Sequence, residues 1–85
     1  MDSAASVPAR LTGILAHLNK ATHGTRNTTL HWAACRVGEM LAAGELHDPF
    51  GAADALADVA LGTGLDPRET DGTIRSGFRA SGVTT

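Results

Sequence analysis

At 85 residues the chain has room for one domain, near the size at which a fold buries only about 60% of its unfolded surface. Its single cysteine excludes an internal disulfide framework, and no apolar run approaches the ~20 residues of a membrane span. A formal net charge of −2 argues against broad, non-specific affinity for nucleic acid, and Met1-Asp2-Ser3-Ala4-Ala5-Ser6 lacks the basic region and apolar core of an export signal, so a soluble, cytoplasmic protein is expected.

Residues 1–7 carry small and polar side chains without a period and read as a flexible leader. Pro8 suits the first turn of a helix, where its missing amide costs nothing. Leu11, Ile14, Leu15 and Leu18 then define a first amphipathic helix ending near Lys20. Ala21 to Thr25 form a polar linker centred on Gly24. A second helix is predicted from about Thr28 to Ala43, with Asn27 or one of the threonines as N-cap and Gly44 as the helix-ending glycine. Leu30, Ala33, Ala34, Val37 and Leu41 make its apolar stripe, and the small residues on that stripe admit a neighbouring helix closely. Arg26, just before the expected cap, places a cation beside unpaired backbone amides, an arrangement suited to a phosphate.

Asp48-Pro49 is a paired start signal, N-cap then proline, for a third helix with Phe50, Ala53, Leu56, Ala57, Ala60 and Leu61 on one apolar face, stopped by Gly62-Thr63-Gly64. Asp66-Pro67 repeats the signal, with Glu69 three residues after the cap as in a capping box. The fourth helix is predicted to turn Thr70, Ile74, Gly77 and Phe78 inward and to carry Asp71, Arg75 and Arg79 on another side, ending at Gly82. Residues 83–85 read as a frayed tail. With no strand-period alternation and short connections, the expected fold is all-α: a compact four-helix bundle over residues 8–82, its neighbours antiparallel. Trp32, Phe50 and Phe78 are the only aromatics besides histidine. The core is therefore to be built from aliphatic side chains and alanine, which favours close helix packing.

Charge is segregated along the chain. Residues 1–38 hold Arg10, Lys20, Arg26 and Arg36 against Asp2, and residues 72–85 hold Arg75 and Arg79 alone. Between them, eight carboxylates oppose only Arg68: Glu39, Glu45, Asp48, Asp54, Asp58, Asp66, Glu69 and Asp71. Such segregation can give one face a basic patch. Catalysis has little support. Asp54 and Asp58 share a helix face, where paired carboxylates are usually solubilising rather than magnesium ligands. His31 and Cys35, one turn apart, supply at most two of the four ligands a structural zinc needs, and His17, His23 and His47 add no matching spacing. A nucleophilic Cys35 would need an activating base, and a cysteine among helical alanines is more often simply packed. Neither an enzyme nor a metal is expected.

Arg26-Asn27 and Thr73-Ile74-Arg75-Ser76-Gly77 carry the binding expectation. Asn27 as a cap and Gly77 as a close-packing residue account for part of them. Beyond that, Arg26, Arg36, Arg75 and Arg79 can converge, with the Thr73 and Ser76 hydroxyls between them, into a cleft for phosphates, since guanidinium binds phosphate oxygens in pairs. Trp32, one turn before Arg36, reads as partly buried first and as a base platform second.

Arg26-Asn27-Thr28-Thr29-Leu30, followed by Ala33-Ala34-Cys35-Arg36-Val37-Gly38, resembles the opening of a helical domain at the C-terminus of primase-polymerases of phages, plasmids and integrated elements, many of them actinobacterial. The resemblance continues through Ala43-Gly44-Glu45-Leu46, Ala55-Leu56, Gly64-Leu65 and Thr73-Ile74-Arg75-Ser76-Gly77, in the same order over roughly residues 8–82. It implies a helix bundle that accompanies a catalytic primase domain and engages the single-stranded DNA template and, with it, the initiating nucleotide. Matched residue by residue, it reaches Arg26, Asn27, Arg36, Thr73, Arg75, Ser76 and Gly77. Neither a polymerase nor a helicase domain lies within these 85 residues, so such a domain is the partner to expect. The expected function is a non-catalytic module for single-stranded DNA, with ATP or another nucleotide as ligand and no cofactor. The alternative is a small phage-encoded accessory or inhibitor factor that docks on a replication or host protein through the acids of residues 39–71. A helix-turn-helix regulator, with Gly44 to Pro49 as the turn, ranks last because its following helix is acidic. Alanine-rich faces leave homo-oligomerisation open.

Overall fold

Start signals, apolar stripes and helix-ending glycines place four helices, and the computed structural model, which describes residues 6–83, contains them: α1 (Val7–Asn19), α2 (Arg26–Ala42), α3 (Pro49–Gly62) and α4 (Pro67–Ala80). Most of the expected leader, and the tail beyond Val83, lie outside the described residues. Ser6 and Val7 belong to the fold: Val7 opens α1, and the Ser6 hydroxyl accepts the Ala9 amide at 3.3 Å. At the other end the Val83 amide donates to the Phe78 carbonyl at 2.9 Å, and Val83 packs against the core. No strand occurs among the described residues, and the fold is a four-helix bundle.

The caps explain the boundaries. The Asp48 carboxylate accepts the Gly51 amide at 2.9 Å, and the Asp66 carboxylate accepts the amides of Arg68 and Glu69 at 3.0 and 3.2 Å. Each occupies donors that the first turn cannot pair by itself. At the end of α2, Gly44 takes φ 79°, which lets the Glu45 amide reach back to the Met40 carbonyl at 2.9 Å and the Gly44 amide to Leu41 at 3.1 Å. The same two bonds close α3, from Leu65 to Ala60 and Gly64 to Leu61, and α4, from Val83 to Phe78 and Gly82 to Arg79.

The start of α2 departs from expectation. Arg26 is the first helical residue rather than the residue before the cap, and Thr25 holds the N-cap position in place of Asn27. The Thr25 hydroxyl makes no bond into the helix. It is engaged in the preceding turn, accepting the Thr22 amide at 3.2 Å and donating to the Thr22 carbonyl at 3.1 Å. Asn27 is thereby released from capping.

The molecule is 18 Å thick along its shortest axis, about two helix diameters. α2 and α4 make the most extensive helix contact, while α1 and α4 do not touch. That central pair runs parallel. The Thr73 hydroxyl, midway along α4, donates to the Asn27 amide oxygen in the first turn of α2; one turn later Gly77 lies against Ala34 and Cys35; and the Ser81 hydroxyl, at the end of α4, donates to the Cys35 carbonyl at 2.9 Å. Small residues permit this approach. A Cβ on Gly77 would stand 3.0 Å from the Cys35 backbone nitrogen, and one on Gly38 would stand 2.8 Å from Ser81 Cβ. The antiparallel expectation holds for chain neighbours such as α3 and α4, but the tightest pair is one that two intervening turns bring together.

The core is Ile14 and Leu18 of α1, Leu30, Ala33, Ala34, Val37 and Met40 of α2, Ala52, Leu56 and Ala60 of α3, and Ile74 and Phe78 of α4. α4 turns inward the four residues its spacing predicted, Thr70, Ile74, Gly77 and Phe78. α3 follows its prediction in part: Leu56 and Ala60 are buried and Ala53 and Ala57 pack against the core, but the two largest flanking residues stay outside. It buries Ala52, Leu56 and Ala60, and leaves Phe50 72% and Leu61 43% exposed. The helix is apolar nearly all round, so its own pattern selects no face. Packing against the other three helices selects it.

Thr70 is 2% exposed and its hydroxyl has no hydrogen-bond partner among the described residues. A buried hydroxyl without a partner costs on the order of 1–3 kcal/mol relative to an apolar group of the same shape. Thr70→Val keeps the volume and removes the hydroxyl, and chemical denaturation is expected to show a gain of about 1 kcal/mol.

Candidate nucleic-acid interface

Each of the expected binding residues has a definite place on this frame. Asn27 and Thr73 are brought together by the parallel α2–α4 pair. Around them, Thr28 and His31 of α2 and Gly72 and Ser76 of α4 line an open polar notch of about 370 Å³. Its lining is amide, hydroxyl and imidazole, with no carboxylate. A Cβ on Gly72 would meet nothing within 4 Å, so no side chain covers the α4 backbone along this rim of the notch. Cys35 stands one turn beyond, its sulfur 3.8 Å from His31 Nδ1.

Arg75 and Arg79 lie on the other side of the α4 crest, over the groove between α3 and α4. Arg75 is paired with Asp71 at 3.2 Å across one turn and remains largely exposed. Screened pairs of this kind hold a side chain weakly, so the guanidinium can exchange partners. Arg36 is elsewhere. It pairs with Glu39 at 3.4 Å and lines a cleft between α1 and α2 together with Arg10, Trp32 and Glu45. Arg26 is half-buried at the start of α2, its guanidinium 3.4 Å from His23 Nδ1 and packed over Gly64 in the α3–α4 turn. The four arginines therefore occupy three places rather than one cleft: Arg26 at the α3–α4 turn, Arg36 against α1, and Arg75 with Arg79 along α4.

The reason is azimuthal. At roughly 100° per residue, Arg36 leaves α2 on the side that meets α1, whereas Asn27 and His31 leave it on the side that meets α4. On α4, Thr73 and Ser76 face α2, and Arg75 and Arg79 face α3. Ser76 and Gly72 share the crest between them, so notch and arginines are adjacent features of one helix.

Trp32 is 41% exposed and stands edge-on to His17 at 4.9 Å between ring centroids. Sequence reasoning passed over His31 and Thr28 as notch residues and Phe50 as an exposed ring beside Arg79. The spacing of His31, at i+4 from Asn27 and i+3 from Thr28, carried the signal for the first two. Among the described residues no three His, Cys, Asp or Glu side chains gather as metal ligands, and no helix is long and apolar enough to cross a membrane. Compared with protein-family models, with curated proteins and with solved structures, the chain matches none.

Proposed function

We propose that this domain binds single-stranded DNA, and with it a nucleotide, as a non-catalytic module working beside a phage or plasmid primase or related replication enzyme. The observation that carries the reading is the notch. Two segments of the resemblance, 46 residues apart at Asn27 and Thr73, meet in one exposed cleft that is polar and free of carboxylate. Hydroxyl, amide and imidazole groups suit the sugar and phosphate oxygens of a strand. Arg75 and Arg79 on the adjacent crest supply charge where a phosphate leaving the notch would pass. Gly72 lets the strand approach the helix backbone, since no side chain stands over it. With so few cations, binding is weak and sensitive to salt.

Anisotropy of a labelled single-stranded oligonucleotide, titrated at low and moderate salt with and without ATP, tests this. Arg75 and Arg79 are exposed, so replacing both by alanine leaves the fold intact. Affinity is expected to fall about tenfold, equivalent to ~1.4 kcal/mol. The log–log salt slope should become shallower by about 1.4, at roughly 0.7 per phosphate contact on a single strand. Ser76→Ala should weaken binding without changing the slope. Unchanged affinity and slope in the double variant would remove the reading.

A further inference from the structure

We infer that the groove between α3 and α4 is a docking site for an amphipathic helix of a protein partner, one flank of that helix basic and the other acidic. The groove is a different surface from the notch, on the other side of α4, and the two readings share only Arg75 and Arg79; the apolar stripe and the α3 carboxylates belong to this one alone.

α3 is the anomaly of the surface. Phe50 and Leu61 are two of the three large apolar side chains exposed among the described residues, and both belong to this one helix. With Ala57, half-buried between them, they repeat at i, i+7 and i+11 and form a second apolar stripe beside the buried one. A helix apolar on both sides is normally covered on both sides. The stripe borders a groove of about 530 Å³ floored by Ala53, Ile74 and Phe78, with Phe50 standing at its edge. The groove is walled by Pro49 to Asp54 of α3 and Asp71 to Arg79 of α4, and two antiparallel helices leave between them a trough that a third helix can occupy.

Charge selects the occupant. Asp54 and Asp58 rise on the α3 side, both exposed and without an ion pair among the described residues. On the α4 side Arg75 and Arg79 line the groove with Asp71, which pairs with Arg75 at 3.2 Å, so Arg79 is the cation there without an ion pair among the described residues. An apolar ridge set into the trough therefore needs cations on the flank that meets α3 and anions on the flank that meets α4. A second copy of α3 packed antiparallel across a two-fold axis would set the Asp54 and Asp58 flank against itself, which opposes self-association in that geometry. A nucleic-acid strand would meet the same two carboxylates.

The probes are two synthetic helical peptides of about the length of α3. Both carry a leucine ridge; one has lysine and glutamate flanks in the predicted order, and the other has the flanks exchanged. Titrated into the isotope-labelled full chain and followed by nitrogen-edited NMR, the first is expected to shift the amides of Phe50, Ala53, Ala57 and Arg79, with a Kd on the order of 10–100 µM, as suits a small interface. Asp54→Lys combined with Asp58→Lys alters only exposed positions. It should weaken the first peptide about tenfold, strengthen the second, and not weaken binding of the oligonucleotide. Absence of binding, shifts confined to other faces, or indifference to the exchanged flanks would overturn the inference. So would a concentration-dependent dimer abolished by Phe50→Asp, which makes a second copy the occupant. An oligonucleotide that shifts Ala53 and Ala57 rather than Thr28 and Ser76 would overturn it as well, and would relocate the DNA site at the same time.

Discussion

Gly77→Val is expected to destabilise the domain by about 3 kcal/mol, the upper part of the range for overpacking a filled interface. Substituting a mid-helix glycine ordinarily stabilises, because glycine costs on the order of 1 kcal/mol relative to alanine. Here the geometry reverses the sign. Even the first added carbon would stand 2.5 Å from Ala34 Cβ, 3.0 Å from the Cys35 nitrogen and 3.1 Å from the Ala34 carbonyl carbon. Two of those three atoms are backbone, so no rotamer change relieves the overlap and α4 must withdraw from α2. Withdrawal strains the rest of the parallel seam, including the Thr73–Asn27 hydrogen bond and the Ser81 contact with the Cys35 carbonyl. Gly72→Val, five residues earlier on the same helix, is the control. A Cβ there meets nothing within 4 Å, so its stability should change by only a few tenths of a kcal/mol. Urea denaturation of the two variants measures the difference, and equal stabilities would show that the seam is loose.

The same seam shows which parts of the fold are legible in the sequence. Asp48-Pro49 and Asp66-Pro67 announce their helices because each signal is completed within one turn, and the glycines at 44, 64 and 82 end theirs for the same reason. α4 reveals its inward face because polar residues surround Thr70, Ile74, Gly77 and Phe78 on every other side. α3 has no such contrast, and Phe50 and Leu61 are placed by neighbours rather than by their own spacing. Asn27 illustrates a different limit. A residue that fits an N-cap by type is displaced when the preceding turn claims the cap position, as the Thr22–Thr25 turn does, and its amide then becomes available to Thr73. For the candidate site, the residue types at Asn27, Thr73 and Ser76 are readable and their meeting is not, because that depends on the parallel approach of helices separated by a whole helix and two turns. The arginines scatter for a related reason. Position along a chain fixes the azimuth of a side chain on its own helix, but the direction it faces in the molecule depends on how that helix is docked.

Notch and groove share α4 as their common wall, and this bears on how two ligands would communicate. Arg75 and Arg79 stand over the groove but belong to the crest that also carries Ser76. A partner helix with an acidic flank would compete for the guanidiniums proposed to follow the DNA backbone. Partner and strand should therefore bind with negative coupling, each lowering the affinity of the other by the same factor.

Leu56→Ala is expected to cost about 3–4 kcal/mol, within the range for removing a large aliphatic side chain from a filled core. Leu56 is fully buried, and the other residues α3 buries are Ala52 and Ala60, so it is the largest side chain fastening this helix to the core, with half-buried Val59 beside it. α3 contacts each of the other helices, and a cavity at its centre cannot be closed by one of them without drawing it from the rest. A domain of this length has a total stability of about 4–13 kcal/mol, so the loss is a large fraction of the whole. The groove depends on the same anchor, because Phe50, Asp54 and Asp58 keep their relation to Arg79 only while α3 is seated. Near the midpoint of its weakened transition the variant should lose peptide binding in step with helical circular dichroism. A Leu56→Ala chain whose stability falls by less than about 1.4 kcal/mol, a tenfold change in the folded-to-unfolded ratio, would show that α3 is held by its alanines and Val59 rather than by Leu56.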